Sequence, residues 1–125
     1  AAQDRGRGGG SMSLGVLYCV AGCGRPADVR HHVVYQQELR RVAGRDKARG
    51  DALRGDPRGM VPMCNSCHER HHSRSKPLPL SVLPDCAFVF AAEVLGSDRA
   101  FNYLGRTCVG EDPRLDALLR REEAA

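Results

Sequence analysis

The stretch GMVPMCNSCHERHH, residues 59–72, decides how the rest of the chain is read. Met60 to Met63 form a brief apolar run that suits a strand. Cys64-x-x-Cys67 follows, and the residues after it suit a helix, with Asn65 or Ser66 available as its cap. Two cysteines at that spacing, at the entry of a helix, form one half of a tetrahedral zinc site. On the helix, His68 and His72 lie four residues apart, which sets their rings about 40° apart in azimuth and about 6 Å apart along the axis. Both can grip one ion. His71 is out of phase with that grip and reads as a surface residue, or as a group that contacts phosphate or supports the ligands from outside.

The other half of a zinc site stands upstream. Cys19 and Cys23 are separated by three residues on a turn that contains Gly22 and Gly24. This is a weaker signal taken singly, but two converging knuckles make a closed four-thiolate site of a kind that contributes roughly 10 kcal/mol or more of folding energy in peptides. Disulfides are the disfavoured explanation for a chain expected to sit in a reducing compartment. An open alternative has His68 or another histidine replacing one cysteine as a zinc ligand. Cys86 and Cys108 lack local partners, lie among apolar residues and are expected in the core.

Val29-Arg30-His31-His32-Val33-Val34-Tyr35 reads as a strand from its β-branched and aromatic content. Adjacent strand residues point to opposite faces, so one of His31 and His32 can join an ion held by His68 and His72 while the other is kept off it. A metal-bound histidine must be neutral, and an uncoordinated one can take a proton from water. One Lewis acid and one base are what phosphodiester hydrolysis needs.

Around these motifs the pattern is strand, loop, strand, helix, followed by helices. Gln36 to Val42 suits a short helix. Glycines at 44, 50, 55 and 59, with Pro57, make 44–59 read as a long loop in which 46–54 has room for one or two helical turns. Lys76 to Leu80 is an extended connector. Pro84 then precedes a helix with Phe88, Ala91, Ala92 and Leu95 on one face. Ser97 suits the cap of another that runs to Gly105, and Asp112-Pro113 starts a third with Leu115, Leu118 and Leu119. The expected class is α+β, a small zinc-bound core with C-terminal helices. Residues 1–12 read as a disordered, linker-like segment, with Gly8 to Met12 resembling a cloning scar and the native chain expected to begin near Met12. Residues 13–76 form the core, and 77–125 form a helical extension on the same domain.

With 125 residues and a net charge of +4, the chain has room for one modest domain. No apolar stretch approaches the roughly 20 residues that cross a bilayer, so a soluble, cytoplasmic protein without a membrane partner is expected. Between Arg40 and Arg58 seven basic residues stand against three aspartates, a segment suited to a polyanion or, failing that, to solvation.

Cys19-x3-Cys23, Val29-Arg30-His31-His32 and Gly59 to His72 together resemble the motif of the HNH endonucleases. The resemblance covers residues 19–72. It implies a treble-clef-like ββα-metal core in which His31, His68 and His72 hold a catalytic divalent ion (magnesium, manganese, nickel or zinc), Cys19, Cys23, Cys64 and Cys67 hold structural zinc, and His32 is the general base. It also implies hydrolysis of DNA to 5′-phosphate and 3′-hydroxyl ends. Arg40, Arg41, Arg45, Lys47, Arg49, Arg54 and Arg58, with Arg70 and Arg74, are the expected phosphate contacts, which position a duplex without reading its sequence. The C-terminal helices are similar to the tails of small bacteriophage and actinobacterial HNH proteins, a weaker likeness that suggests phage packaging proteins as partners. The pattern departs at one place: the family has an asparagine nine residues before the first helix histidine, where it helps fix the loop bearing the base, and this chain has Gly59. Two other readings follow from these residues. One is a non-catalytic zinc-knuckle module that binds nucleic acid. The other is an RNase or toxin acting on RNA.

Overall fold

The computed structural model describes residues 17–124; the expectation for residues 1–12 lies outside them. Among the described residues the fold is α+β, with six helices, one two-stranded sheet and a four-cysteine cluster. The strands are β1 (Val29–His32) and β2 (Met60–Met63). They pair antiparallel, with Val29 opposite Met63, His31 opposite Val61 and His32 opposite Met60. Helices α1 (Gln36–Ala43) and α2 (Lys47–Gly55) occupy the connection between them, and α3 (Asn65–His72) follows β2 directly. Helices α4 (Asp85–Leu95), α5 (Ser97–Thr107) and α6 (Pro113–Ala124) complete the chain.

Residues 44–59 are not the long loop their glycines suggest. Asp46 accepts the Arg49 N–H at 3.0 Å and caps α2, a nine-residue helix, and a 3-10 turn spans Pro57–Gly59. Gly50 is buried inside α2 where the two helices meet, and a Cβ there would make ordinary contact with the Ala43 Cβ at 3.5 Å. The cap of α3 also differs from expectation. Cys64 is the cap, its Sγ accepting from the Cys67 N–H at 3.4 Å, while the Asn65 N–H donates to the Asp28 carboxylate at 2.9 Å. Lys76 to Leu80 is the connector expected, fastened by hydrogen bonds between Leu78, Leu80 and Val109.

The core is continuous from β2 through α1 and α4 to α6, with Val61, Met63, Leu39, Phe90, Leu104 and Leu118 among its buried side chains. Phe88, Ala91, Ala92 and Leu95 are buried on the expected face of α4, and Cys108 is buried too. Cys86 is exposed, contrary to expectation, because it sits in the first turn of α4 on the side away from that face. Contacts at Tyr35 and Gly59 are among those that join the C-terminal helices to the sheet region. The Tyr35 N–H donates to the Tyr103 hydroxyl at 3.1 Å, and Phe90 packs against Gly59.

Candidate metal centres

The first knuckle is a tight turn, closed by bonds from the Cys19 N–H to the Arg25 carbonyl and from the Gly22 N–H to the Cys19 carbonyl. Gly22 and Gly24 adopt φ of 78° and 83°, where a side chain would be strained. The Val20 N–H bonds the Pro62 carbonyl at 2.8 Å, which lays this turn beside β2 and the second knuckle. One sulfur from each of Cys19, Cys23, Cys64 and Cys67 then lies within 4.8 Å of all the others. Cys23 and Cys64 Sγ are 3.7 Å apart. Two sulfurs that share a tetrahedral zinc at about 2.3 Å stand about 3.8 Å apart, whereas a disulfide is about 2.05 Å. The four-thiol cluster fits a structural zinc ion. Hydrogen bonding from the Cys67 N–H lowers the Cys64 thiol pKa, while burial raises that of Cys67.

The second cluster is built by β1 and α3. His31 faces inward, 2% exposed, against the helix, while Arg30 and His32 share the other face of the strand. A ring nitrogen from each of His31, His68 and His72 lies within 4.8 Å of the others. His68 Nε2 and His72 Nε2 are 3.1 Å apart, inside the range of about 2.9 to 3.4 Å expected for two nitrogens at about 2.0 to 2.1 Å from one ion. Burial, followed by the charges of His71, His68 and His72, pushes the His31 pKa down to about 2. Burial and His72 also lower that of His68. Imidazoles held neutral keep a lone pair for a cation, so this set also fits a divalent ion.

His32 is separate from the three. Its Nε2 lies 2.8 Å from the carbonyl of Arg54 in the last turn of α2. A carbonyl can only accept, so Nε2 carries the proton and Nδ1 of the neutral ring has the free lone pair. Arg30, His31, His32, Tyr35, Gln36, His68 and His72 line a 240 Å³ cavity. The division of the His31-His32 pair that a strand requires is therefore present: one ring among the helix histidines, the other beside them with an available basic nitrogen.

His71 is neither on the surface nor placed to meet a phosphate. It is 1% exposed, its Nδ1 accepts the Leu78 N–H at 2.9 Å, and its Nε2 lies 2.9 Å from the Tyr35 hydroxyl. The first bond fixes the Nε2–H tautomer, which donates to Tyr35. Burial, with His72 and His68, pushes its pKa down to about 4. Helical phase does not show this place: a neutral histidine joins the buried Leu78 N–H to the half-buried Tyr35 hydroxyl and packs with its ring centre 4.7 Å from that of His31, which bears out support of the histidine cluster from outside and not the surface reading.

The basic residues divide. Arg41 pairs with Glu38, Lys47 and Arg54 with Asp51, Arg58 with Asp56 and Glu93, and Arg70 donates to Ser66. Arg40, Arg45, Arg49 and Arg74 are exposed and have no side-chain partner among the described residues. Arg40, Arg45, Lys47 and Arg54 line the elbow between α1 and α2. Sequence reasoning missed Arg30, Tyr35 and Gln36 in the cavity wall. Arg30 alone had a signal, since residue 30 shares a strand face with residue 32.

No family model, curated protein or solved structure matches the chain. Its own geometry therefore carries the functional argument. No helix among the described residues is long and apolar enough to cross a membrane.

Proposed function

We propose that the chain is a metal-dependent endonuclease of the HNH type, with a treble-clef-like ββα-metal core, that hydrolyses DNA phosphodiester bonds with little sequence specificity. The observation that carries this reading is the convergence of His31, His68 and His72 beside a fourth histidine, His32, whose Nε2 is engaged by a backbone carbonyl. A structural cluster has no use for that fourth ring.

His31, His68 and His72 would hold the catalytic ion, and a divalent cation there supplies Lewis-acid stabilisation of phosphoryl charge. His32 acts as general base. Nδ1 accepts a proton from water as the water oxygen bonds to phosphorus, the bond from phosphorus to the 3′ oxygen breaks, and that oxygen takes up a proton. The Arg54 carbonyl keeps the His32 ring in the productive tautomer and orientation, and it stabilises the imidazolium once formed. Arg30, at the cavity wall, and the exposed Arg40, Arg45, Arg49 and Arg74 meet the phosphate backbone. Cleavage then depends steeply on salt and weakly on sequence.

Supercoiled plasmid incubated with the protein tests this. The expected result is conversion to nicked or linear DNA with magnesium, manganese or nickel and none with a chelator of the catalytic ion. Binding of DNA without cutting under every ion would overturn the enzyme reading in favour of a non-catalytic zinc module, and preferential cutting of a folded RNA competitor would move the substrate from DNA to RNA.

A further inference from the structure

His32 is oriented by a carbonyl, and a carbonyl is only as well placed as the turn that carries it. Arg54 is followed by Gly55, and the chain then reverses through Asp56 and the 3-10 turn to reach β2. The turn has an internal clasp. Asp56 Oδ1 accepts the Arg58 N–H at 2.9 Å, and its other oxygen pairs with the Arg58 guanidinium at 3.0 Å. It also has an external clasp on α4. The same guanidinium reaches Glu93 at 3.0 Å and lies 5.6 Å from the centre of the buried Phe90 ring. Arg58 is thus spoken for on three sides.

We infer that Arg58 is a positioning residue for the base: with Asp56 and Glu93 it ties the turn after α2 to α4, and so holds the Arg54 carbonyl where it orients His32. This rests on the nuclease reading of the site and reassigns Arg58 from the phosphate contacts. A guanidinium occupied by two carboxylates and stacked on a ring has little charge left for a phosphate. The pair with Glu93 is about half exposed on both sides, so its loss should barely alter global stability. Positioning and folding are therefore separable by experiment.

The test compares wild type with Arg58→Ala, Arg58→Lys, Glu93→Gln and, as a phosphate-contact reference, Arg49→Ala. Two readouts are used: steady-state plasmid cleavage, and the His32 ring tautomer by long-range proton–nitrogen NMR on the zinc-bound protein at alkaline pH. Arg58→Ala and Glu93→Gln are expected to lower kcat by roughly tenfold, the lower end of what lost outer-sphere support costs, with KM within about twofold. They are also expected to mix the His32 tautomers, which wild type holds as Nε2–H. Arg58→Lys is expected to recover part of kcat, and Arg49→Ala to raise KM and flatten the salt dependence. A raised KM with unchanged kcat for Arg58→Ala, or a single unchanged tautomer in both Arg58→Ala and Glu93→Gln, would overturn the assignment. If wild type cuts no nucleic acid, the nuclease reading fails, and the tautomer comparison still decides whether Arg58 holds His32.

Discussion

Placing at position 59 the asparagine that the HNH pattern carries there should damage this protein. Gly59 has no unusual φ; it is required for space. A Cβ built there stands 2.5 Å from Phe90 Cε2, 2.7 Å from Cδ2 and 3.1 Å from Cζ, almost an ångström inside ordinary contact at the nearest point. The ring cannot swing clear, because Phe90 is 1% exposed in the core. The backbone cannot drift either, because the Gly59 carbonyl accepts the Val33 N–H at 2.9 Å and the Gly59 N–H donates to Asp56 at 3.1 Å. Overpacking of this kind costs about 1 to 3 kcal/mol, or a fall in Tm of roughly 4 to 12 °C for a domain of this size. Gly59→Ala and Gly59→Asn should both pay it, Asn somewhat more. Gly105→Ala is the control: it lies in α5, and its Cβ would meet only Leu115 Cδ2 at 3.9 Å, so a gain of about 0.5 to 1 kcal/mol is expected. Urea and thermal unfolding at fixed zinc concentration measure all three. Gly59→Asn with wild-type stability and faster cleavage would refute the packing argument.

Replacing Cys64 or Cys67 by Ala, or stripping zinc with a strong chelator, should abolish cooperative unfolding near the wild-type Tm, since a four-thiolate site supplies folding energy on the order of 10 kcal/mol in peptides; circular dichroism and metal analysis follow it. His71→Leu should destabilise by about 1 to 3 kcal/mol by orphaning the Leu78 N–H and the Tyr35 hydroxyl, while metal content stays at the wild-type value; urea denaturation and elemental analysis check the two halves. The Asp112 carboxyl is held below its ordinary pKa by Arg114, which also donates to the Leu83 and Leu80 carbonyls. That contribution is full above the unfolded carboxyl value and is lost as pH falls through the folded one. Asp112→Asn should therefore be less stable than wild type near neutral pH and converge with it in acid, as thermal melts across that range would reveal.

Local pattern made much of this molecule legible. β-Branched and aromatic content located the strand at His31 and His32, helical spacing located the buried face of α4, and the paired cysteines announced their cluster. What escaped depended on distant partners. α2 was obscured because its glycines read as breakers, although the Asp46 cap and the burial of Gly50 against α1 hold them in a helix. The burial of His71 was missed because its partners, a tyrosine hydroxyl and a backbone N–H seven residues away, leave no trace in helical phase. Cys86 was misplaced because its apolar neighbours do not say which way a first helical turn faces. The hold on His32 was invisible for a simpler reason: a backbone carbonyl has no residue type, so nothing in the sequence marks Arg54 as its carrier.

The central claim, a base at His32 beside an ion site at His31, His68 and His72, is tested most directly by plasmid cleavage with His32→Ala at matched zinc content and matched Tm. Loss of cleavage by at least about a hundredfold, with DNA binding retained, is the expected result, given the roughly 10²- to 10⁴-fold contribution of a positioned base. Equal cleavage by His32→Ala and wild type under the same divalent ion would contradict it.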